Sequence, residues 1–563
     1  MAEDPSHKPF ITGAESTGNN STQKGCTPWL LISCIILTMS TAFVFGWGLG
    51  APNQYNTYTE DFLNGTDPCV AERDRNELKR LNDERLLHAG HHHHNDSVVI
   101  LTMAVDSGDR PAVSETTETA VKVVKEKFNF VLELIKGIPQ TVFLIGAFIG
   151  AVTGPFWPNC MNRKKTVYAN FAFCFASSLC VLLSYYLQKP WLFYVSRLLM
   201  GYQGGMACVI VPPYIGEISS QRVRGAAGSS FQLALTIGIL IAQVVGLPFI
   251  AGTCKHWGWG LAIVFVLPLI STVLMLLVPN SPTQLIRKYN DEKQAEIDLK
   301  KLRNTEDVRG DLDNIHYQAR QEGGTESLSI PAVLTTARYR WPMLTTIVLQ
   351  MAQALSGINA VFFYSSKMFE KAGIKKDLIP YANIGTGIIN VLATIVALSL
   401  IEKVGRRALI IYPMGVMVLV FGILTALVEV NERINNPTLG WFSVIFVLIF
   451  VVCFAVGLGP IPFIYSSEVC RPEARDSVQA LGLVANYLGN ILLSLFFPAL
   501  NSILGGYVFL IFFVLVLLHL AFLYVKMPET KNKTIEEAER FWKIPTTVPT
   551  QQYGKDKLLP VST

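Results

Sequence analysis

Apolar stretches of about 20 residues, the length that crosses a hydrocarbon core as a helix, recur along this chain. They lie near 29–50, 138–158, 166–187, 191–214, 228–250 and 258–279, and after a polar gap near 342–366, 380–401, 408–429, 440–466, 478–500 and 505–527. The pattern predicts twelve membrane helices, six on each side of the gap. The expected organisation is a polar, disordered segment 1–28 and a six-helix bundle 29–279 with a large hydrophilic loop at 56–136. Linker helices 280–341, a second bundle 342–527 and a tail 528–563 follow. Within the long loop, Val121, Val124, Phe128 and Val131 or Leu132 are spaced for a short amphipathic helix.

The two halves carry matching charged motifs. Glu217 and Arg224 follow one apolar run, and Glu468 and Arg475 follow another, each arginine seven residues after its acid. Asn162-Arg163-Lys164 answers Gly405-Arg406-Arg407, and Pro279-Asn280-Ser281-Pro282 answers Pro528-Glu529-Thr530, at a similar offset. A repeat this long reads as two fused homologous halves, an arrangement that places a transported substrate between them.

Composition agrees: 50% of residues are hydrophobic, 16% are charged and the mean hydropathy is +0.36. The net charge of +5 matters through its placement. Arg163, Lys164, Lys165, Arg222, Arg224, Lys403, Arg406, Arg407, Arg471 and Arg475 fall in the even-numbered gaps and leave the odd ones sparse. By the positive-inside bias, both termini and the central linker are expected in the cytoplasm. The first apolar run is long enough to span, so no cleaved leader is expected. Asn64-Gly65-Thr66 and Asn95-Asp96-Ser97 are then outward-facing glycosylation acceptors. Cys69 and Cys254 fall on the same side, where a disulfide is permitted. His88 and His91 to His94 read as a solvated low-complexity tract rather than a metal site. No phosphate-binding loop or dinucleotide fingerprint occurs, so no cofactor, nucleotide or nucleic-acid partner is expected. The expected partners are membrane lipid and a small molecule.

The polar residues inside the spans point to the kind of cargo. The span cores are nearly free of Asp, Glu, Lys and Arg, but they carry Gln232, Gln243, Gln350, Gln353, Asn359, Asn383, Asn390, Asn486 and Asn490. Buried polar groups need a partner or a cavity. An amide supplies a donor and an acceptor together, as a neutral polyhydroxylated molecule requires. Gln350, Gln353 and Gly357 share one helix face. Phe363, Tyr364, Phe454, Phe463 and Tyr487 could stack on a sugar ring, although aromatic side chains in such helices more often face core or lipid. Ser356-Gly357-Ile358-Asn359 is a weak point in span 7, suited to a bend. Without an acid in span 1 or the other cores, passive movement is expected rather than proton coupling.

Several of these segments resemble the facilitative glucose transporters, the GLUT type of sugar porter in the major facilitator superfamily. They are Gln350-Met351-Ala352-Gln353-Ala354-Leu355-Ser356-Gly357-Ile358-Asn359-Ala360, Gln232-Leu233 with Gly238-Ile239-Leu240-Ile241-Ala242-Gln243, Gly405-Arg406-Arg407, Gly459-Pro460-Ile461-Pro462 and Pro528-Glu529-Thr530-Lys531. The resemblance covers about 29 to 540 apart from the enlarged loop. It implies an all-α, two-bundle carrier working by alternating access in the plasma membrane, with glucose or fructose as cargo. Other readings are a proton-coupled symporter of a sugar or polyol and a transporter-like sugar receptor; an enzyme is not expected. Gln232, Gln350, Gln353, Asn359, Asn390 and Asn486 match the family's sugar-contacting amides. Arg197, Glu217, Arg224, Glu402, Arg406, Arg407, Glu468 and Arg475 match its cytoplasmic salt-bridge network, expected to pair between bundles. The chain departs from the pattern at Ala354, Ala455, Phe463 and Tyr487, at Pro279-Asn280-Ser281-Pro282-Thr283, and at Cys160 and Asn162.

Overall fold

A computed structural model describes residues 27–88, 135–220, 223–322, 328, 330–371, 374, 378–434, 437–531, 533 and 535–544. The N-terminal segment 1–26, the His91 to His94 tract, Asn95, the amphipathic stretch from Val121 and the end of the tail lie outside these residues. The described residues form helices and no strand.

The first six spans are Pro28–Gln54, Ile135–Pro158, Arg163–Leu187, Pro190–Ile218, Arg224–Val245 and Trp257–Leu274. The last six are Arg340–Ala354 continued by Ile358–Lys371, Ile379–Val404, Arg406–Ile434, Pro437–Val456 continued by Ile461–Val469, Pro472–Leu504 and Val508–Lys526. Span 7 breaks where its sequence is weakest. Gly357 takes φ +91°, a conformation that disfavours side chains with a Cβ, and two half-helices meet there. Span 10 breaks similarly over Gly457 to Pro460.

Local chemistry sets the helix starts. Thr27 caps span 1 through Leu30 N at 3.3 Å, ahead of Pro28. Asn162, which departs from the family motif, caps span 3 by accepting from Lys165 N at 2.7 Å. Ser281 caps the short helix Pro282–Gln284 in the same way.

Backbones in the first half interlock at glycines. A Cβ at Gly201 would lie 1.8 Å from the Phe143 carbonyl oxygen, and one at Gly205 would lie 1.9 Å from that of Ala147. Within a bilayer, close approach of this kind replaces the hydrophobic drive that water would supply.

With an even number of spans among the described residues, the start of span 1 and the end of span 12 lie on one face. On that face the linker helix Glu292–Arg303 tucks beneath span 1: Lys301 sits over the Trp29 ring at 4.2 Å, and Arg303 donates to Ile218 O at 2.9 Å. The opposite face holds two helices, Asn56–Leu63 and Pro68–His88, where the hydrophilic pattern suggested a loop. The run from Ala71 to Leu87 is rich in Glu, Arg, Lys and Leu, all good helix formers. Cys69 and Cys254 form a disulfide that pins the second helix to the approach to span 6, and Arg75 grips Asp61 at 3.0 and 2.8 Å.

The two halves pack together on this same side. Span 1 meets the second half of span 7, and span 5 meets span 8. A Cβ on Gly137 of span 2 would lie 2.7 Å from Ser494 O of span 11.

Candidate functional site

Five amides join into one hydrogen-bonded chain. Asn486 donates to Gln350 Oε1 at 3.0 Å and to Gln353 Oε1 at 2.7 Å. Asn490 donates to Asn486 Oδ1 at 2.8 Å, and Asn359 donates to Asn490. The glutamine amino groups reach the break in span 10: Gln350 donates to Pro462 O at 3.1 Å, and Gln353 to Leu458 O and Gly459 O at 2.8 and 3.0 Å. Three features produce this geometry. Spacing puts Gln350 and Gln353 on one face. The kink at Gly357 brings Asn359 back beside span 11. The span-10 break leaves Leu458 O and Gly459 O without helical donors, and Gln353 satisfies them.

Gln232 faces the same place from the other half; a Cβ on Gly459 would lie 3.5 Å from its Nε2. Asn390 is buried in span 8 with Oδ1 unpartnered, and Asn383 donates to Ser366 at 2.8 Å. Phe454 and Tyr487 are buried and Phe463 is half-buried. The Tyr487 hydroxyl meets the Cys208 thiol of span 4, a polar contact between halves. The side chains of Phe363 and Tyr364 lie outside the described residues. Asn490, unmatched by the family resemblance, is the link that closes the amide chain, and its place one turn after Asn486 was the available signal.

On the face that carries the chain ends, the repeat folds into two like hubs. Arg163 pairs with Glu217, Ser281 donates to the same carboxylate, and Gln284 accepts from Arg163 N at 2.8 Å. Arg406 pairs with Glu468 at 2.9 Å, Thr530 donates to that carboxylate, and Glu529 accepts from Arg406 N at 2.9 Å and Arg407 N at 3.1 Å. Each hub ties parts of one bundle, so these pairs are not the inter-bundle clasps expected from sequence. Arg407 extends to Tyr524 O at 2.7 Å. Arg475 Nε is buried without a partner, and the side chains of Arg224 and Glu402 lie outside the described residues. The network assignment missed Arg163, Ser281, Gln284, Glu529 and Thr530, although the repeated motifs contain four of them.

Arg197 does not belong to this rim. It lies near the start of span 4, toward the opposite face, where it donates to Gly48 O at 3.1 Å and Gln140 Oε1 at 2.8 Å and covers the Phe143 ring at 4.5 Å. Its distance along the helix from Glu217 is the reason: the two residues sit near opposite ends of one membrane-length helix.

The tail adds a further contact. Glu539 of helix Ile535–Phe541 is held by Arg338 at 2.9 and 2.7 Å and by Arg471 at 3.1 and 3.2 Å. Burial pushes its carboxyl upward, but hydrogen bonds and charge from the two arginines outweigh this and hold it below the usual carboxylate range.

The fold and this polar interior define a two-bundle membrane carrier of the major facilitator type. The sugar (and other) transporter family matches residues 33–542, and the chain belongs to that family. It is 34% identical over 411 residues to facilitated glucose transporter member 1 of solute carrier family 2 from Gallus gallus, covering 73% of this chain and 83% of the relative. Facilitated glucose transporter member 2 from Mus musculus is 30% identical over 504 residues, covering 89% and 92%. In fold the chain is similar to the proton:xylose symporter XylE, with a TM-score of 0.66, 21% identity and coverage of 92% of this chain and 99% of that one.

Proposed function

We propose that this protein carries a neutral hexose, glucose or fructose, down its gradient across the plasma membrane by alternating access, acting as a carrier and not as an enzyme. The observation that carries this reading is the amide chain: Gln350, Gln353, Asn359, Asn486 and Asn490 link both halves of span 7 to span 11 through neutral donors and acceptors. A sugar hydroxyl replacing one amide–amide bond forms another of similar strength, so net binding is modest and release is possible. Gln232 and Asn390 complete the polar lining from spans 5 and 8, and Phe454, Phe463 and Tyr487 supply ring faces. The two arginine–glutamate hubs stiffen each bundle so that it moves as a body, and the span-7 break at Gly357 supplies the bend.

Both chain ends lie in the cytoplasm in this reading. Asn64, the exposed C-terminal cap of helix Asn56–Leu63, then faces outward as a glycan acceptor. An Asn64→Gln variant expressed in glycosylating cells should migrate faster on a gel than the unaltered chain.

The deciding experiment is uptake of labelled glucose and fructose into proteoliposomes, with and without an imposed inward proton gradient. Saturable uptake that stops at equilibrium and ignores the gradient supports facilitated transport. Accumulation driven by the gradient favours the symporter reading. Sugar binding without uptake favours the receptor.

A further inference from the structure

Away from the amides, the first half contains a cavity of about 20 Å³ between spans 1, 3, 4 and 6, room for a single small guest. Trp47, Gly48, Ser177, Ser178, Ser196 and Arg197 contribute its polar wall, and none of the amide chain lines it. Arg197 is 5% exposed, and its guanidinium has only neutral hydrogen-bond acceptors, Gly48 O and Gln140 Oε1. Among the described residues no carboxylate pairs with it. Its Nε is buried without a partner, as are Trp47 Nε1 and Ser178 Oγ. Ser178 has no nitrogen or oxygen partner and meets only the Cys174 thiol, while Ser177 donates to Ser196 O at 2.9 Å.

A buried cation with no counter-charge is costly in hydrocarbon. Here it shares a small cavity with an unused indole N–H and a hydroxyl met only by a thiol. All three groups can donate, and Arg197 and Trp47 have no acceptor capacity there. A cation would be repelled, and a neutral guest would leave the charge uncompensated. A single anion satisfies charge and donors together.

We propose that this cavity is a binding site for one small monovalent anion of chloride size, held by Arg197, Trp47 and Ser178 between spans 1, 3 and 4. The site stands apart from the sugar-binding assignment, because it shares no residue with the amides. The anion would fasten three first-half helices near the face opposite the chain ends.

The test is the melting curve of the full-length protein in lipid nanodiscs as chloride replaces gluconate at constant ionic strength. The expected result is a saturable rise of about 1–3 °C. Trp47→Phe keeps an aromatic ring but removes the indole N–H together with part of the ring system. Its melting point in gluconate, lowered by the lost volume, is the baseline for its own chloride titration, which should need about fivefold more chloride for half the shift than the unaltered protein does. Sulfate, too large for the cavity, should not substitute. Superimposable curves in chloride and gluconate would mean a water-filled cavity and overturn the proposal. So would a chloride shift that Trp47→Phe leaves unchanged, since that would place the ion elsewhere.

Discussion

Arg163 pairs with Glu217 in the first half while Ser281 closes over the same carboxylate; in the second half Arg406, Glu468 and Thr530 repeat the arrangement. The interiors above these hubs differ. The first half is sewn together by glycines whose Cβ positions are filled by neighbouring backbone, and its buried charge is Arg197. In the second half Gly457 alone among the described glycines meets backbone so closely, 2.2 Å from Leu409 O, while Gly385 and Gly415 meet nothing within 4 Å, and the polar interior is a chain of neutral amides around two broken helices. Duplication therefore preserved the charged anchors, and the two interiors took separate tasks. One half is built as a close-packed support. The other bends and presents hydrogen-bonding groups.

Substituting glycines tests the first term of that contrast and should give the largest effect. Gly205→Val drives a side chain into the Ala147 backbone and should abolish a monodisperse peak in size-exclusion chromatography. Gly415→Ala meets open space and should match the unaltered protein or gain up to about 1 kcal/mol from helix propensity. Equal damage from both would erase the difference between the halves.

Next comes the amide chain. Gln350→Leu removes two side-chain hydrogen bonds, to Pro462 O and from Asn486, a loss of about 1–3 kcal/mol in all. Sugar uptake should fall about tenfold or more, with surface expression retained. Normal uptake would remove Gln350 from the site.

The tail contact should give an intermediate effect, confined to the second half. Because the Glu539 carboxyl is held below its ordinary range, the stability it adds is complete above about pH 4.3, its unfolded value. That stability is lost as pH falls through the lower folded value. Glu539→Gln should weaken docking of the tail helix by about 2 kcal/mol and remove this acid-dependent step. Protease nicking of the tail measured from pH 7 to pH 3 would detect both changes. An unaltered acid profile in the variant would contradict the assignment.

The smallest effects should come from the hubs themselves. Glu217→Gln and Glu468→Gln each weaken one partly exposed pair, worth about 1 kcal/mol or less. Transport rates should change by a few-fold at most, and by similar factors in the two variants. A large effect from only one would mean that the hubs are not equivalent.

Much of this was legible from residue order, and the reasons are physical. A bilayer demands about 20 apolar residues per helix, so the spans could be counted without knowing any contact. Costly polar groups in hydrocarbon are few, so Gln350, Gln353 and Asn486 stood out against Leu and Val. Ser356-Gly357 announced a weak helix, and the break fell there because Gly357 alone tolerates the positive φ. Tertiary structure decided the pairings. Arg224 is nearer to Glu217 in sequence than Arg163 is, yet Arg163 reaches it because the turn after span 2 folds beneath the end of span 4. Arg197 looked like a rim charge until its height along span 4 placed it among Gly48, Gln140 and Phe143. The Cys69–Cys254 bond and the grip of Arg338 and Arg471 on Glu539 join segments far apart in the chain. Periodicity and burial cost act on neighbours and can be read in sequence; which distant side chains meet depends on how the helices pack.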